Sequence, residues 1–124
     1  MFSSYGYANN GLAIDTTLND LGRYRVTKKD EDKLKFKIPS LRNLSYTYPY
    51  MHDGRFDKLH EVLNHYTNLK PGDSPEIALR SALKLTSKEK TDIITFLLTL
   101  DDKQFVFDLK NKFPQELLLE IKNK

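Results

Sequence analysis

Apolar positions recur at helical spacing in two places along this chain. In FDKLHEVLNHY, residues 56–66, the positions Phe56, Leu59, Val62, Leu63 and Tyr66 share one helical stripe, so Tyr66 is turned toward the interior. From Thr86 to Leu100 the pattern returns: Ile93, Ile94, Phe96, Leu97 and Leu100 make a broad apolar face, and Thr86 with Glu89 makes a capping box at its start. Asp101-Asp102 ends that helix, although acids at a helix C-terminus oppose the macrodipole. Pro114 suits the first turn of a last helix over Gln115–Lys122.

Elsewhere the periodicity lapses. The first 35 residues read as loop, with a turn signal at Asn9-Asn10-Gly11 and one short helical turn over Thr16–Leu21 stopped by Gly22. The mixed-sign run KKDEDK, residues 28–33, predicts a solvated surface loop. Asn68, Pro71, Gly72 and Pro75 break the chain again after the first clear helix. No strand-type alternation is present. The fold class is therefore all-α with unusually long ordered loops, and loops of that length inside a compact domain usually serve a site or wrap a cofactor.

Composition narrows the chemistry. A chain of 124 residues with 39% hydrophobic content fits one domain with a modest core. The formal charge of +3 comes from scattered lysines with no basic helix, which argues against nucleic acid. With no cysteine there is no disulfide, zinc-thiolate site, iron–sulfur cluster, cysteine nucleophile or covalent C-x-x-C-H haem attachment within the chain. The longest apolar run, Ile93–Leu100, is too short to span a membrane, and MFSSYGYANNGL lacks the basic and apolar regions of a signal peptide. No phosphate loop, nucleophile elbow or dinucleotide fingerprint occurs.

Special-purpose residues crowd into KIPSLRNLSYTYPYMHDGRF, residues 37–56. His52 beside Asp53 suits a base, a ligand or a hydrogen-bond anchor. Met51 reads as an axial haem ligand or as plain packing. Tyr66 is either a core tyrosine with a satisfied hydroxyl or a phenolate ligand to iron. His60 and His65, five apart, do not share a helical face, which argues against a two-histidine metal site. Arg42 and Arg55 flank the tyrosine-rich loop, as surface residues or as partners for a carboxylate.

Two segments, Ile38-Pro39-Ser40-Leu41-Arg42-Asn43 and Tyr48-Pro49-Tyr50-Met51-His52-Asp53-Gly54-Arg55-Phe56, resemble the signature of bacterial di-haem cytochrome c peroxidases and MauG-type proteins. Asn9-Asn10-Gly11-Leu12, Asp20-Leu21-Gly22-Arg23-Tyr24 and the capped stretch from Leu85 to Leu100 resemble the surrounding parts of that family, so the likeness covers about residues 2–108. It implies an incomplete C-terminal cytochrome c-like domain over 1–108 and a helical extension over 109–124.

The family carries two c-type haems: peroxide reacts at the N-terminal one, and the C-terminal one relays electrons. Its attachment motif for the second haem lies shortly before the Asn-Asn-Gly loop. The resemblance thus implies a fragment without attachment cysteines, proximal histidine, first helix or peroxide-reacting domain, catalytically silent alone. Such a fragment would leave the apolar face of residues 86–100 unpartnered.

The family's distal ligand to the C-terminal haem lies fourteen residues beyond the motif's histidine, methionine in the peroxidases and tyrosine in MauG; here that position is Tyr66. The likeness also implies that His52 lies near the inter-haem region and Arg42 near a propionate. It implies a calcium ion between the two haem domains, held in part by the backbone carbonyls of Thr47 and Pro49. The implied partners are the N-terminal haem domain and a small redox protein or a protein substrate, in the periplasm. The rival reading is a haem-free, non-enzymatic, stand-alone module that keeps the loop as an interaction surface.

Overall fold

A computed structural model describes residues 2–112, so the helix expected at 115–122 lies outside the described residues. In chain order the elements are strand β1 (Tyr7–Ala8), helix α1 (Tyr24–Thr27), strand β2 (Phe36–Lys37), and helices α2 (Leu59–Thr67), α3 (Ser87–Leu98) and α4 (Lys103–Phe107). Long loops join them, with 3-10 turns at Asp30–Asp32, Leu44–Tyr46, Ile77–Leu79 and Leu109–Asn111. The architecture is helical, and it includes a two-stranded antiparallel ladder outside the all-α expectation. In that ladder Tyr7 faces Lys37 and Ala8 faces Phe36.

Both apolar stripes fold as helices. α3 begins at its capping box: the Thr86 hydroxyl accepts the Glu89 N–H at 3.2 Å, and the Glu89 carboxylate accepts the Thr86 N–H at 2.7 Å. α2 begins at Leu59 rather than Phe56, because Glu61 accepts the N–H groups of Asp57 and Lys58. The backbone of Phe56 bridges instead to Tyr50. Lys90 of α3 ties the two helices by donating to Asn64 Oδ1 at 2.8 Å and Thr67 Oγ1 at 3.2 Å.

Asp102 has a use the helical pattern alone does not show. It is the N-cap of α4, accepting the Phe105 N–H at 2.9 Å, so the carboxylate faces the positive end of the next helix. The run 28–33 also differs from its expected form. Asp32 is buried, because Arg23 reaches its carboxylate at 3.2 Å and Lys35 at 3.9 Å.

Little apolar surface is interior. Among the described residues, Leu12 and Leu69 are the buried apolar side chains, while Phe96 of α3 and Phe105 and Phe107 of α4 stay more than half exposed. α3 thus carries an apolar face with little of this chain laid over it.

Candidate functional site

The turn at Asn9-Asn10-Gly11 joins α2 to the rest of the molecule. The buried Asn9 accepts the Gly11 N–H with its side-chain oxygen at 2.9 Å. Its own N–H donates to Glu76 at 3.2 Å, and its carbonyl accepts the hydroxyl of buried Ser74 at 2.6 Å. Gly11 has φ +73°, and a Cβ there would lie 2.7 Å from Leu69 Cδ2, so a larger residue would be strained and would push the Leu69 side chain aside.

This turn presents Asn10 to α2. The imidazole Nε2 of His65 lies 2.9 Å from the Asn10 carbonyl, and the Asn10 side-chain nitrogen lies 3.3 Å from Met51 Sδ. Burial pushes the Tyr66 hydroxyl above its ordinary pKa, and the nearby Asn10 side chain opposes the rise. The Tyr66 ring meets His65 edge-on at 5.1 Å.

The motif loop reverses between Tyr50 and Phe56, whose backbones pair across Met51 (φ +73°) and Gly54 (φ +69°). Within the reversal the Asp53 side chain is only 3% exposed. Arg55 Nε donates to its carboxylate at 2.8 Å, and Arg55 Nη2 reaches the Ala13 carbonyl at 2.9 Å. The Arg55 hydrogen bond holds the Asp53 carboxyl below its ordinary value of 3.8. The pair therefore adds stability above the pKa of the unfolded carboxyl and loses it as pH falls through the lower folded value. Asp53→Asn is expected to lower neutral-pH stability by about 1 kcal/mol. Thermal melts should show the gap to the wild type closing as the pH drops below the ordinary carboxyl value.

The other residues singled out from the sequence occupy separate places. His52 is exposed and stacks on Phe36 of β2, with centroids 3.7 Å apart and planes 13° apart. Arg42 lies over the Phe2 ring and lines an open recess of 560 Å³ together with residues 98–103. Ser45 donates to Asp101 Oδ2 at 2.5 Å beside that recess, and Asp101 Oδ1 is buried without a hydrogen bond. Thr47 and Pro49 are exposed. The structure thus joins Met51 and His65, the neighbour of Tyr66, through Asn10, while His52, Arg42 and the Thr47–Pro49 segment contact other parts of the chain. Sequence reasoning missed Asn10 and the role of His65. Asn10 carried a turn signal, but no spacing rule links it to a helix 55 residues later.

A haem iron fits this donor set at one position. Tyr66 is a half-buried residue of α2 that carries a phenol oxygen, a known iron-ligating group. The chain has no cysteine to form a thioether bond to the macrocycle. Among the described residues, no group of three or more His, Asp or Glu side chains is placed to hold a metal ion.

No family model matches the chain. Among curated proteins it is 43% identical over 81 residues to cytochrome-c peroxidase IdrP1 of Pseudomonas sp. strain SCT, covering 65% of this chain and 21% of that protein. It is 37% identical over 86 residues to methylamine utilization protein MauG of Methylorubrum extorquens, covering 66% of this chain and 24% of that one. Among solved structures, a MauG-like protein associated with microbial copper homeostasis matches with a TM-score of 0.72 and 30% identity, over 89% of this chain and 36% of that one. The chain therefore spans roughly a fifth to a quarter of the length of these curated relatives.

Proposed function

The chain belongs to the family of bacterial di-haem cytochrome c peroxidases and MauG proteins, and from that premise we propose that it is part of a peroxidase-like, di-haem oxidoreductase. Residues 1–108 form an incomplete C-terminal cytochrome c-like domain, and 109–124 extend it. The peroxide-reacting domain and the haem-attachment cysteines belong to protein outside this chain, which by itself turns over no peroxide.

One observation supports this reading above the others. Tyr66 stands at the family's distal-ligand position, and it is a half-buried residue of α2. When bound, haem supplies a redox-active iron for electron transfer. The chain's own contribution is to orient an oxygen donor with Tyr66, to tie its helix to the Asn9-Asn10-Gly11 turn through His65, and to offer Arg42 as a cation for a propionate. His52, braced on Phe36, belongs to the surface toward the other haem domain.

A phenolate is a hard, anionic donor that favours ferric iron and a low potential, which places the chain nearer the MauG branch than the methionine-ligated peroxidases. Carbonyls are hard donors suited to calcium, and Thr47 and Pro49 supply this chain's share of an inter-domain ion. Two carbonyls are too few to hold it alone, so calcium binds only in the complete enzyme. The electron partner is a small redox protein or a protein substrate, and the setting is the periplasm.

Intact mass and absorption of the protein isolated from its native host test the reading. A mass well above 14.5 kDa with a Soret band is expected. A mass equal to this chain with no Soret band overturns the enzyme reading and favours a haem-free interaction module.

A further inference from the structure

We propose that the face made by β1, α1 and the stretch leading into β2 is a docking surface for an acidic protein partner, which meets it with surface carboxylates. No single helix carries the basic charge, but one segment does. Residues 22–42 hold eight Lys and Arg against three Asp and Glu, a formal +5, while the rest of the chain is −2. The fold does not spend that excess internally. Buried Asp32 takes Arg23 at 3.2 Å and Lys35 at 3.9 Å, and exposed Asp30 takes Lys33 at 2.7 Å. Among the described residues no carboxylate pairs with Lys28, Lys29 or Lys37, and all three are exposed.

Aromatic rings hold several of these cations instead. Lys28 and Lys33 both lie over the Tyr24 ring, with Nζ 5.8 and 5.2 Å from its centroid. Lys37 lies over Tyr5 at 5.7 Å, and the Arg23 guanidinium lies over Tyr7 at 4.4 Å. The ladder gathers them: Tyr7 faces Lys37 across the strands, and Gly22 bridges Lys35, which sets α1 beside β2. A ring attracts a cation without neutralising it. It therefore restrains the side chain, which lowers the ordering cost of association, and leaves the charge for a partner.

The same face offers more than charge. Tyr5 and Tyr7 are 57% and 46% exposed, and Val26, between Arg25 and Lys28, is 86% exposed. Tyrosine and arginine are enriched where proteins meet proteins. A bilayer surface is the poorer match, since the four residues of α1 are too short to lay an apolar face into lipid. The surface belongs to this chain's own fold and does not depend on the haem reading.

The full chain titrated with a short poly-L-glutamate peptide at low salt, followed by NMR, tests the surface. Backbone amides of residues 23–37 should shift, and the shifts should fade as salt is raised. The triple variant Lys28→Glu, Lys29→Glu, Lys37→Glu should bind about tenfold more weakly. Lys84→Glu, Lys88→Glu, Lys110→Glu makes the same change in net charge on exposed lysines elsewhere and should leave binding nearly unchanged. Equal losses in the two variants, or unmoved amides at 23–37, overturn the surface. Phosphatidylserine vesicles that sediment the chain through Lys28, Lys29 and Lys37 while the peptide moves nothing there overturn the protein partner in favour of lipid.

Discussion

Gly22→Ala is expected to cost about 3 kcal/mol of folding stability, as the sum of a left-handed-backbone cost and an overpacking cost. Gly22 has φ +60°, where an L side chain is strained. A Cβ there would lie 2.5 Å from the Lys35 carbonyl oxygen and 3.1 Å from its carbon, both backbone atoms that cannot rotate away. The close approach exists because Gly22 bridges Lys35, with the Arg23 N–H donating to the Lys35 carbonyl at 2.8 Å and the Leu34 N–H to Leu21 at 3.0 Å. Lys35 leads directly into β2 and Phe36, on which His52 stacks, so the damage should spread to the motif loop.

Gly72→Ala is the control. Its φ of +95° is strained too, but nothing lies within 4 Å of the added methyl. Its cost should stay near 1 kcal/mol, the backbone share alone. Urea melts of both variants decide the matter, and equal losses would mean that the Gly22–Lys35 approach yields without penalty.

The legible parts of the fold are those where the cause is local. α2 and α3 follow from stripes of apolar residues at helical spacing, and the start of α3 follows from two side chains three residues apart. The strands do not announce themselves, because two residues are too few to alternate, and their pairing joins positions about 30 apart. The burial of Asp32 was hidden for a related reason. A mixed-sign run reads as solvated until Arg23 is brought back across α1 to meet it. Asp102 was legible as an end and not as a beginning, since five residues of α4 are too short for a stripe to show.

The site divides the same way. Tyr66 lies on a visible helical stripe, and the motif's spacing marks the same residue. The contact of its neighbour His65 with Asn10 depends on a turn whose partners are Ser74, Glu76 and Leu69, so only the folded chain reveals it.

Tyr66→Met, made in the haem-loaded protein, is expected to raise the midpoint potential by on the order of 0.1 V or more, within the ~0.8 V span that axial ligands command. A thioether is a neutral, softer donor than a phenolate and gives up the preference for ferric iron. Tyr66→Phe should instead remove the donor, abolish the phenolate band and open the iron to added azide or imidazole. In the haem-free chain both changes should be mild. Loss of a half-buried hydroxyl costs about 1 kcal/mol, and methionine adapts to an irregular site. A core tyrosine with a satisfied hydroxyl predicts the reverse pattern: thermal melts would move, while potential and spectrum stayed where they were. Spectroelectrochemistry of the loaded variants, set beside melts of the haem-free ones, separates a residue that ligates from one that merely packs, and an unmoved potential in Tyr66→Met would return Tyr66 to the core.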